Sequence, residues 1–323
     1  MSDKICLNKQ YSTTKMLQRE KPLVKQEFYD QFESIFFLPK DDKGRKLEGG
    51  LRTKGYFKKS YEKKPLVTIV TVSYNSEQFL EETIKSIVQQ GYDNIEYIII
   101  DGASTDKTLE IIKKYEDVID YFVSESDKGM YDALNKGFLL ASGELINFCN
   151  SDDMFYADNT IEKIVEQYIL ENFDFCYGTA EFIDGKGKHL SFAYPLKFKK
   201  RYLVTLGLPF VQPTSFWTMN MMKKVGLFDL NYKIVSDYDL LSRVLLQSDN
   251  VRRISFPIIK FRKYGVSFGD KNTKKARQEA PVIRENCKKV LHMSELEDSL
   301  FSIYDRVYQK LNGIIKSFME NRK

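Results

Sequence analysis

The sequence has few of the residues that crosslink small secreted domains or bind soft metals. Its 323 residues include four cysteines and two histidines. The cysteines lie far apart and form no C-x-x-C pair, which excludes the common zinc knuckles and dithiol redox motifs. We therefore expect a reducing compartment. The cysteines are Cys6, Cys149, Cys176 and Cys287.

Long apolar runs are also missing. The first twenty residues mix Lys, Asp, Gln and Thr, without the apolar stretch of a signal peptide. No run reaches the roughly 18–20 apolar residues that a membrane-spanning helix needs. We expect a cytoplasmic protein that is neither exported nor threaded through a membrane.

Neither sign of charge dominates, but the charges are unevenly distributed. Lys and Arg number 50 against 45 Asp and Glu, a net charge of +5. Residues 1–64 carry +7, residues 65–270 carry −7 and residues 271–323 carry +5. This pattern argues against a nucleic-acid binder and allows the ends to contact an anionic surface. We divide the chain accordingly into a basic N-terminal extension and connector, a central domain and a basic, helical C-terminal segment.

The extension has two parts. From Gln18 to Phe37 apolar residues recur near helical spacing, which predicts one helix. Residues 40–64 hold several glycines among many lysines, which predicts a mobile or loosely docked connector.

From Leu66 onward, short β-rich runs alternate with helical patterns. Residues 66–74 are almost continuously β-branched, which predicts a buried parallel strand. The alternation predicts a doubly wound, Rossmann-like α/β fold with a mostly parallel sheet, whose ligands gather at the carboxyl ends of the strands. Further strands are predicted at 95–100, 121–124, 144–148 and 173–177, helices at 105–115, 130–140 and 160–171, and a hairpin at 184–187.

Carboxylates that follow strands are the candidate functional groups. Asp101 ends one apolar strand, where it can accept a hydrogen bond from a nucleobase or a ribose hydroxyl, or only satisfy turn amides. Asp152 and Asp153 follow another strand, and adjacent buried carboxylates need a compensating cation. Hard oxygen ligands suit Mg²⁺ or Mn²⁺. The alternative makes Asp153 a cap and Asp152 a loop residue.

Two further places start helices. Asp237 stands where a helix dipole stabilises an anion, and it could take a proton from an attacking hydroxyl or serve only as an N-cap. Lys128 and Gly129 could present a cation and amides to phosphate, although no P-loop or G-x-G-x-x-G pattern is present.

The order of these elements resembles that of the family 2 glycosyltransferases, inverting enzymes of the GT-A fold that use nucleotide-activated sugars. The resemblance covers residues 65–269. It is carried by the runs VTIVTVSYN from Val67, IIDGASTD from Ile99 and SGELINFCNSDD from Ser142. Four later runs resemble the branch that builds bacterial capsule, O-antigen and colanic-acid-type polysaccharides: QPTSFW from Gln212, VGLFD from Val225, SDYDL from Ser236 and GVS from Gly265.

The resemblance implies a role for each candidate. The family's metal-binding D-x-D falls on residues 150–152, so Asp152 would bind Mn²⁺ or Mg²⁺, and the family's catalytic base falls on Asp237. The implied nucleotide-sugar-binding residues are Ser73, Tyr74, Asn75, Asp101, Lys128, Gly129, Asn150 and Asp153. The implied acceptor-binding residues are Gln212 and Trp217, and a core position is the alternative for Trp217.

Three positions depart from the family pattern. Asn150 replaces the first Asp of the D-x-D, Gly102 replaces a second Asp often found after Asp101, and Val211 replaces a His often found before Gln212. Asp152 must then supply the main protein charge on the metal.

The hypothesis is transfer of a sugar from a UDP-sugar to a hydroxyl of a polyprenyl-diphosphate-linked saccharide. The alternatives are a nucleotidyltransferase that makes sugar nucleotides, whose phosphate loop after the first strand is missing, and an inactive sugar-binding module. The C-terminal helix, with Lys310 and Lys316 beside Ile314 and Phe318, could lie on the anionic inner face of the cell membrane, pack on the domain or form a dimer contact.

Overall fold

The computed structural model describes residues 4–24, 26–39, 44–263 and 270–320, and it describes no side chains for 270–272 and 311–320. Its strands are β1 (Leu47–Gly49), β2 (Val67–Ser73), β3 (Ile95–Asp101), β4 (Tyr121–Ser124), β5 (Leu145–Phe148), β6 (Met154–Phe155), β7 (Phe175–Ile183), β8 (His189–Ala193), β9 (Ser215–Thr218) and β10 (Val251–Arg262). Its helices are α1 (Leu80–Val88), α2 (Thr108–Lys114), α3 (Met130–Leu140), α4 (Thr160–Glu171), α5 (Tyr202–Thr205), α6 (Met219–Val225), α7 (Ser236–Gln247), α8 (Asp270–Val290) and α9 (Glu295–Glu320).

One sheet joins the described strands in the order β1-β4-β3-β2-β5-β9-β7-β10-β6, and β8 pairs with β7. Strands β4, β3, β2 and β5 are mutually parallel, and β9 runs against both β5 and β7. Because β7 therefore points the same way as β5, and β10 is parallel to β7, six strands share one direction. The predicted α/β sheet with helices between its strands is confirmed.

The central strands have almost uniformly apolar sequences because both of their faces are buried. All seven residues of β3 are buried, and β2 is buried apart from the partly exposed Val72. Helices α1 and α4 pack on one face with Ile84 and Ile164, whereas Phe138 of α3 packs on the other. Both faces of the parallel core are thus covered, as the β-branched pattern predicts.

The helix predicted between Gln18 and Phe37 is not present in the described part of that range, which is extended and bent. Its backbone pairs with the domain instead: the Gln31 amide donates to the Lys223 carbonyl and the Ile35 amide to the Leu139 carbonyl, both at 2.8 Å. Because these amides donate to carbonyls of the domain, they are not available for the hydrogen bonds of a helix.

The connector is not loosely docked from Gly44 onward, and that expectation is wrong. Strand β1 pairs antiparallel with β4. Arg52 and Lys58 are each only 2% exposed; the Arg52 guanidinium lies 2.5 Å from Glu96, and the Lys58 ammonium 2.7 Å from Asp120. Because a buried carboxylate must be paired or hydrogen-bonded, the two cations of the extension stabilise Glu96 and Asp120 at the amino ends of the strands, opposite the ligand edge.

Three further predictions concern the rest of the chain. The hairpin forms between β7 and β8, and the C-terminal segment is helical as predicted. Among the helices described, none combines the length and apolar character needed to cross a bilayer. The motif at Gly265, Val266 and Ser267 lies outside the described residues.

Arg52→Ala tests the extension's contribution to stability. We expect the free energy of unfolding to fall by about 3–5 kcal/mol, because Glu96 is left buried without its cation. Lys85→Ala, which removes an exposed pair with Glu81, should cost no more than about 1 kcal/mol. Urea unfolding followed by circular dichroism measures both, and equal losses would show that the buried pair has no special weight.

Candidate active site

Asp101 lies where β2, β3 and β4 end together. Ser73 and Ser124 flank it at the same register on the two neighbouring strands. Their hydroxyls donate to its carboxylate at 2.9 and 2.6 Å, and the amide and hydroxyl of Ser104 donate as well. The side chain is fully buried. With four donors in place its acceptor positions are filled, so a nucleobase contact, which stays a prediction, would have to displace one of them.

The residues that follow β2, next to Asp101, are more accessible to solvent. Tyr74 is 66% exposed, and Asn75 adopts a left-handed backbone while its side-chain oxygen accepts from the Thr105 amide at 2.9 Å. A Cβ placed on Gly102 would come within 2.6 Å of Asp127 Oδ2. A carboxylate from another loop, Asp127, therefore occupies the space that the side chain of a second Asp after Asp101 would take. No sequence motif singles out Asp127.

The loop before α3 differs from a phosphate cradle. The Gly129 amide donates to Asp127 at 2.8 Å, and the Lys128 amide donates to Asp132 at 3.0 Å. Carboxylates thus occupy two amides that were expected to face phosphate. Lys128 and Gly129 were predicted to bind phosphate together. The exposed side chain of Lys128 is still suited to an anion.

A tight turn after β5 contains Asn150, Asp152 and Asp153. It is held by Arg262, which no sequence motif singles out. Arg262 ends β10 with 2% exposure. Its amide donates to Asp153 Oδ1 at 2.9 Å, its Nε to the Asp152 carbonyl at 3.0 Å, and its guanidinium pairs with Glu82 at 2.6 Å. Asn150 donates to Asp153 Oδ2 at 2.9 Å. Asp153 is therefore the anchor of this turn, at 1% exposure.

Asp152 is the carboxylate of this turn that suits a cation. Burial raises its pKa, and burial together with repulsion from Asp152 raises the pKa of Asp153 well above its ordinary value. Within the described ranges, no other residue donates a hydrogen bond to the Asp152 side chain, and no group of three or more His, Cys, Asp or Glu surrounds a metal-sized space. A divalent ion here would take Asp152 and complete its shell with phosphate and water.

Asp237 has the environment of a base. It lies in the first turn of α7, where Oδ1 accepts from the Tyr238 amide at 2.8 Å and from the Tyr131 hydroxyl at 3.2 Å. Burial raises its pKa to about 6 against these hydrogen bonds. Tyr131 is the second residue of α3, so this contact ties Asp237 to the loop that follows β4. Asp239, two residues further along the same helix, pairs with Arg243.

The two predicted acceptor residues differ in position. Gln212 is partly exposed on a short helical turn that Asn147 holds by donating to the Pro213 and Ser215 carbonyls. Trp217 is fully buried against Phe175. A ring without accessible surface cannot stack on a sugar, so the acceptor role predicted for Trp217 is wrong and the core alternative holds.

The geometry agrees with what comparison with known proteins shows. A family model described as glycosyl transferase family 2 matches residues 68–225. An uncharacterized glycosyltransferase of Mycobacterium tuberculosis is 30% identical over 194 residues, covering 58% of this chain and 71% of that protein. The chain belongs to glycosyl transferase family 2, and the resemblance found in the sequence is confirmed.

Other similarities vary in extent. The chain spans 59% of the length of an uncharacterized glycosyltransferase of Rickettsia typhi, to which it is 34% identical over 188 residues. A putative teichuronic acid biosynthesis glycosyltransferase of Bacillus subtilis, TuaG, is 37% identical over 106 residues, which cover 32% of this chain and 42% of that protein. Staphylococcus aureus TarS 1–349 with UDP-GlcNAc is similar in structure, with a TM-score of 0.55, 18% identity and 70% of each chain covered. This last similarity confirms the GT-A fold.

Asp237→Asn should stabilise the protein in a pH-dependent way. The folded state raises the pKa of Asp237 from 3.8 to about 6, so ionisation opposes folding as the pH rises through that window. Above pH 6 the penalty is about 3 kcal/mol at most, and Asn does not incur it. We expect Asp237→Asn to melt above the wild type at pH 8, with the difference shrinking toward pH 4. The exposed Asp158→Asn is the control, and a pH-independent difference would contradict the burial of charge.

Proposed function

We propose that this chain is an inverting glycosyltransferase that moves a sugar from a UDP-sugar to a hydroxyl of a polyprenyl-diphosphate-linked saccharide in bacterial surface polysaccharide synthesis. The observation that carries the proposal is Asp237, a half-buried carboxylate with a pKa of about 6 that Tyr131 ties to the loop following β4. A base is most effective when its pKa lies near the working pH.

Asp237 Oδ1 is engaged by Tyr131 and by the Tyr238 amide, which leaves Oδ2 for the acceptor. In the proposed step the acceptor hydroxyl gives its proton to Asp237 while its oxygen bonds to the anomeric carbon. The bond from that carbon to the diphosphate breaks on the opposite face, so the configuration inverts and the nucleoside diphosphate leaves with the bonding electron pair. Base catalysis of this kind typically contributes about 10²–10⁴-fold.

The donor's diphosphate is assigned to the side of the site formed by Asp152 and Lys128. Asp152 would hold Mn²⁺ or Mg²⁺ with help from Asn150, whose amide nitrogen is used by Asp153. Such an ion supplies charge stabilisation to a leaving diphosphate. Arg262 and Asp153 keep the turn fixed, and the exposed Tyr74 offers an aromatic face to the nucleobase.

The choice of donor and pathway rests on similarity. TarS binds UDP-GlcNAc in its solved complex, and TuaG is described as a teichuronic acid enzyme. The TarS complex supports a UDP-sugar as the donor for this chain, and the description of TuaG supports polysaccharide synthesis as its setting.

Two alternatives make different predictions. A nucleotidyltransferase would form a sugar nucleotide from a sugar phosphate and a nucleoside triphosphate, with release of pyrophosphate. An inactive sugar-binding module would release no nucleoside diphosphate from any donor. A base whose pKa lies near neutral pH favours sugar transfer over the two alternatives, because neither a nucleotidyltransferase nor a binding module needs a proton acceptor on α7.

A panel of UDP- and GDP-sugars with a synthetic lipid-linked acceptor tests the proposal. We expect UDP release coupled to a new glycosidic bond of inverted configuration, stimulated by Mn²⁺ or Mg²⁺ and lost with EDTA. Asp237→Asn should lower kcat at least 100-fold and leave donor affinity within about twofold. The wild-type rate should fall as the pH drops below about 6. Asp158→Asn serves as the control, and near-full activity of Asp237→Asn would refute the assigned base.

We also propose that the protein binds the inner face of the cell membrane peripherally through α9. One face of this helix is apolar and solvent-facing: Leu300, Ile303, Tyr304 and Val307 are each more than half exposed. Arg306 and Lys310 are exposed on the same helix. Apolar side chains beside basic ones are what an anionic lipid surface attracts.

Flotation with anionic liposomes checks this placement. The wild type should float with the vesicles at low salt and be released at high salt, because screening weakens the basic contacts. Ile303→Asp should abolish flotation, whereas Leu170→Asp, at an apolar residue of α4 that is 77% exposed, should not. A wild type that stays with the soluble fraction at low salt would rule the membrane contact out.

A further inference from the structure

The loop before α7 is held by a carboxylate from the C-terminal segment. Glu279 of α8 accepts hydrogen bonds from the backbone amides of Lys233 at 3.0 and 3.1 Å, Ile234 at 3.0 Å and Val235 at 3.4 Å. Asp237 follows two residues later. One side chain therefore binds three successive amides at the entrance to the helix that carries the base.

The same loop is held from the other side by α3. The Tyr131 hydroxyl lies 2.7 Å from the Ile234 carbonyl and 3.2 Å from Asp237 Oδ1. The peptide units around Ile234 are thus bonded through their amide by Glu279 and through their carbonyl by Tyr131. Because Tyr131 contacts both this loop and Asp237, a shift of the loop moves the partner of the base.

We propose that Glu279 is a positioning residue that fixes the loop at 233–235 and thereby sets the place and basicity of Asp237. This inference rests on the proposed function, since it assigns Glu279 a role through the base. It makes α8, outside the family-matched residues 68–225, part of the catalytic arrangement.

A carboxylate suits this position for a physical reason. Three amides that converge near a helix start carry partial positive charge, and an acceptor with two oxygens can satisfy them together. Removing it would leave these amides to water and let the loop relax. A displacement of about 1 Å at a catalytic group can lower a rate about 100-fold.

The ionisable groups around Asp237 come from three elements. Tyr131 reaches it from α3, Glu279 holds the preceding loop from α8, and Asp239 on its own helix is paired with Arg243. Loss of Glu279 removes a negative charge and admits water, and both effects lower the pKa of Asp237 toward its ordinary value. Loss of the Tyr131 hydroxyl removes a hydrogen bond to the carboxylate and raises that pKa.

The test compares four variants of the full chain in the transferase assay. Glu279→Ala should lower kcat roughly 10–100-fold, leave the KM for the donor within about twofold and move the acid limb of kcat to lower pH. Glu279→Gln, which keeps an acceptor oxygen, should lose much less activity. Tyr131→Phe should move the acid limb the opposite way. Glu285→Ala removes an exposed carboxylate from the same helix and should match the wild type.

A purely structural role gives another result. If Glu279 only stabilised the fold, the melting temperature and the active fraction would fall while kcat per folded molecule and the acid limb stayed at wild-type values, and that outcome overturns the proposal. A second readout does not need turnover. The Asp237 carboxyl is titrated by ¹³C NMR, and its signal is assigned because it is absent from the spectrum of Asp237→Asn. The pKa obtained from this titration should be lower in Glu279→Ala than in the wild type, and unchanged in Glu285→Ala. An inactive wild type with this shift would refute the transferase function alone, and an active enzyme without it would refute the positioning role alone.

Discussion

Burial of carboxylates is the constraint on which the rest of this structure depends. An ionised carboxylate inside a protein must have donors or a cation, or its pKa rises. Asp101 takes hydroxyl and amide donors from the strand ends, and Asp153 takes the backbone of Arg262 and the amide of Asn150. Glu96 takes Arg52 from the extension. Donors do not always suffice: burial raises the pKa of Asp153 despite its two donors, and burial likewise raises the pKa of Asp237, whose two donors both bond to one oxygen.

The flanking segments follow from the same constraint. The basic extension is not a separate arm, since part of its charge neutralises carboxylates at the amino ends of the sheet strands. On the other side, α8 brings Glu279 to the amides before α7. The charge split along the chain thus partly reflects pairing within the fold.

The predicted positions of the site residues agree with the fold where they depend on strand order and disagree where they depend on packing, and the roles of these residues stay predictions. Asp101, Asp152 and Asp237 were placed at strand ends and a helix start, and the fold puts them there. Trp217 is the third residue of the strand that follows the predicted acceptor loop, yet its ring enters the core because β9 lies between two buried strands. Nothing in the local pattern gives the direction of that side chain.

The sequence alone determined the alternation of strands and helices, the family and the carboxylates at the ligand edge, because periodicity and motif spacing are local properties. Only the tertiary structure decided which of these carboxylates keeps free acceptor capacity. Arg262 and Tyr131 lie 109 and 106 residues from the acids that they contact, and Glu279 lies 44 to 46 residues from the amides that it accepts from, far beyond any local pattern. The pKa of a group inside the protein depends on such distant partners, so the raised pKa of Asp237 and the anchoring place of Asp153 required the folded chain. The base role of Asp237 is what the family resemblance implied, and it stays a prediction.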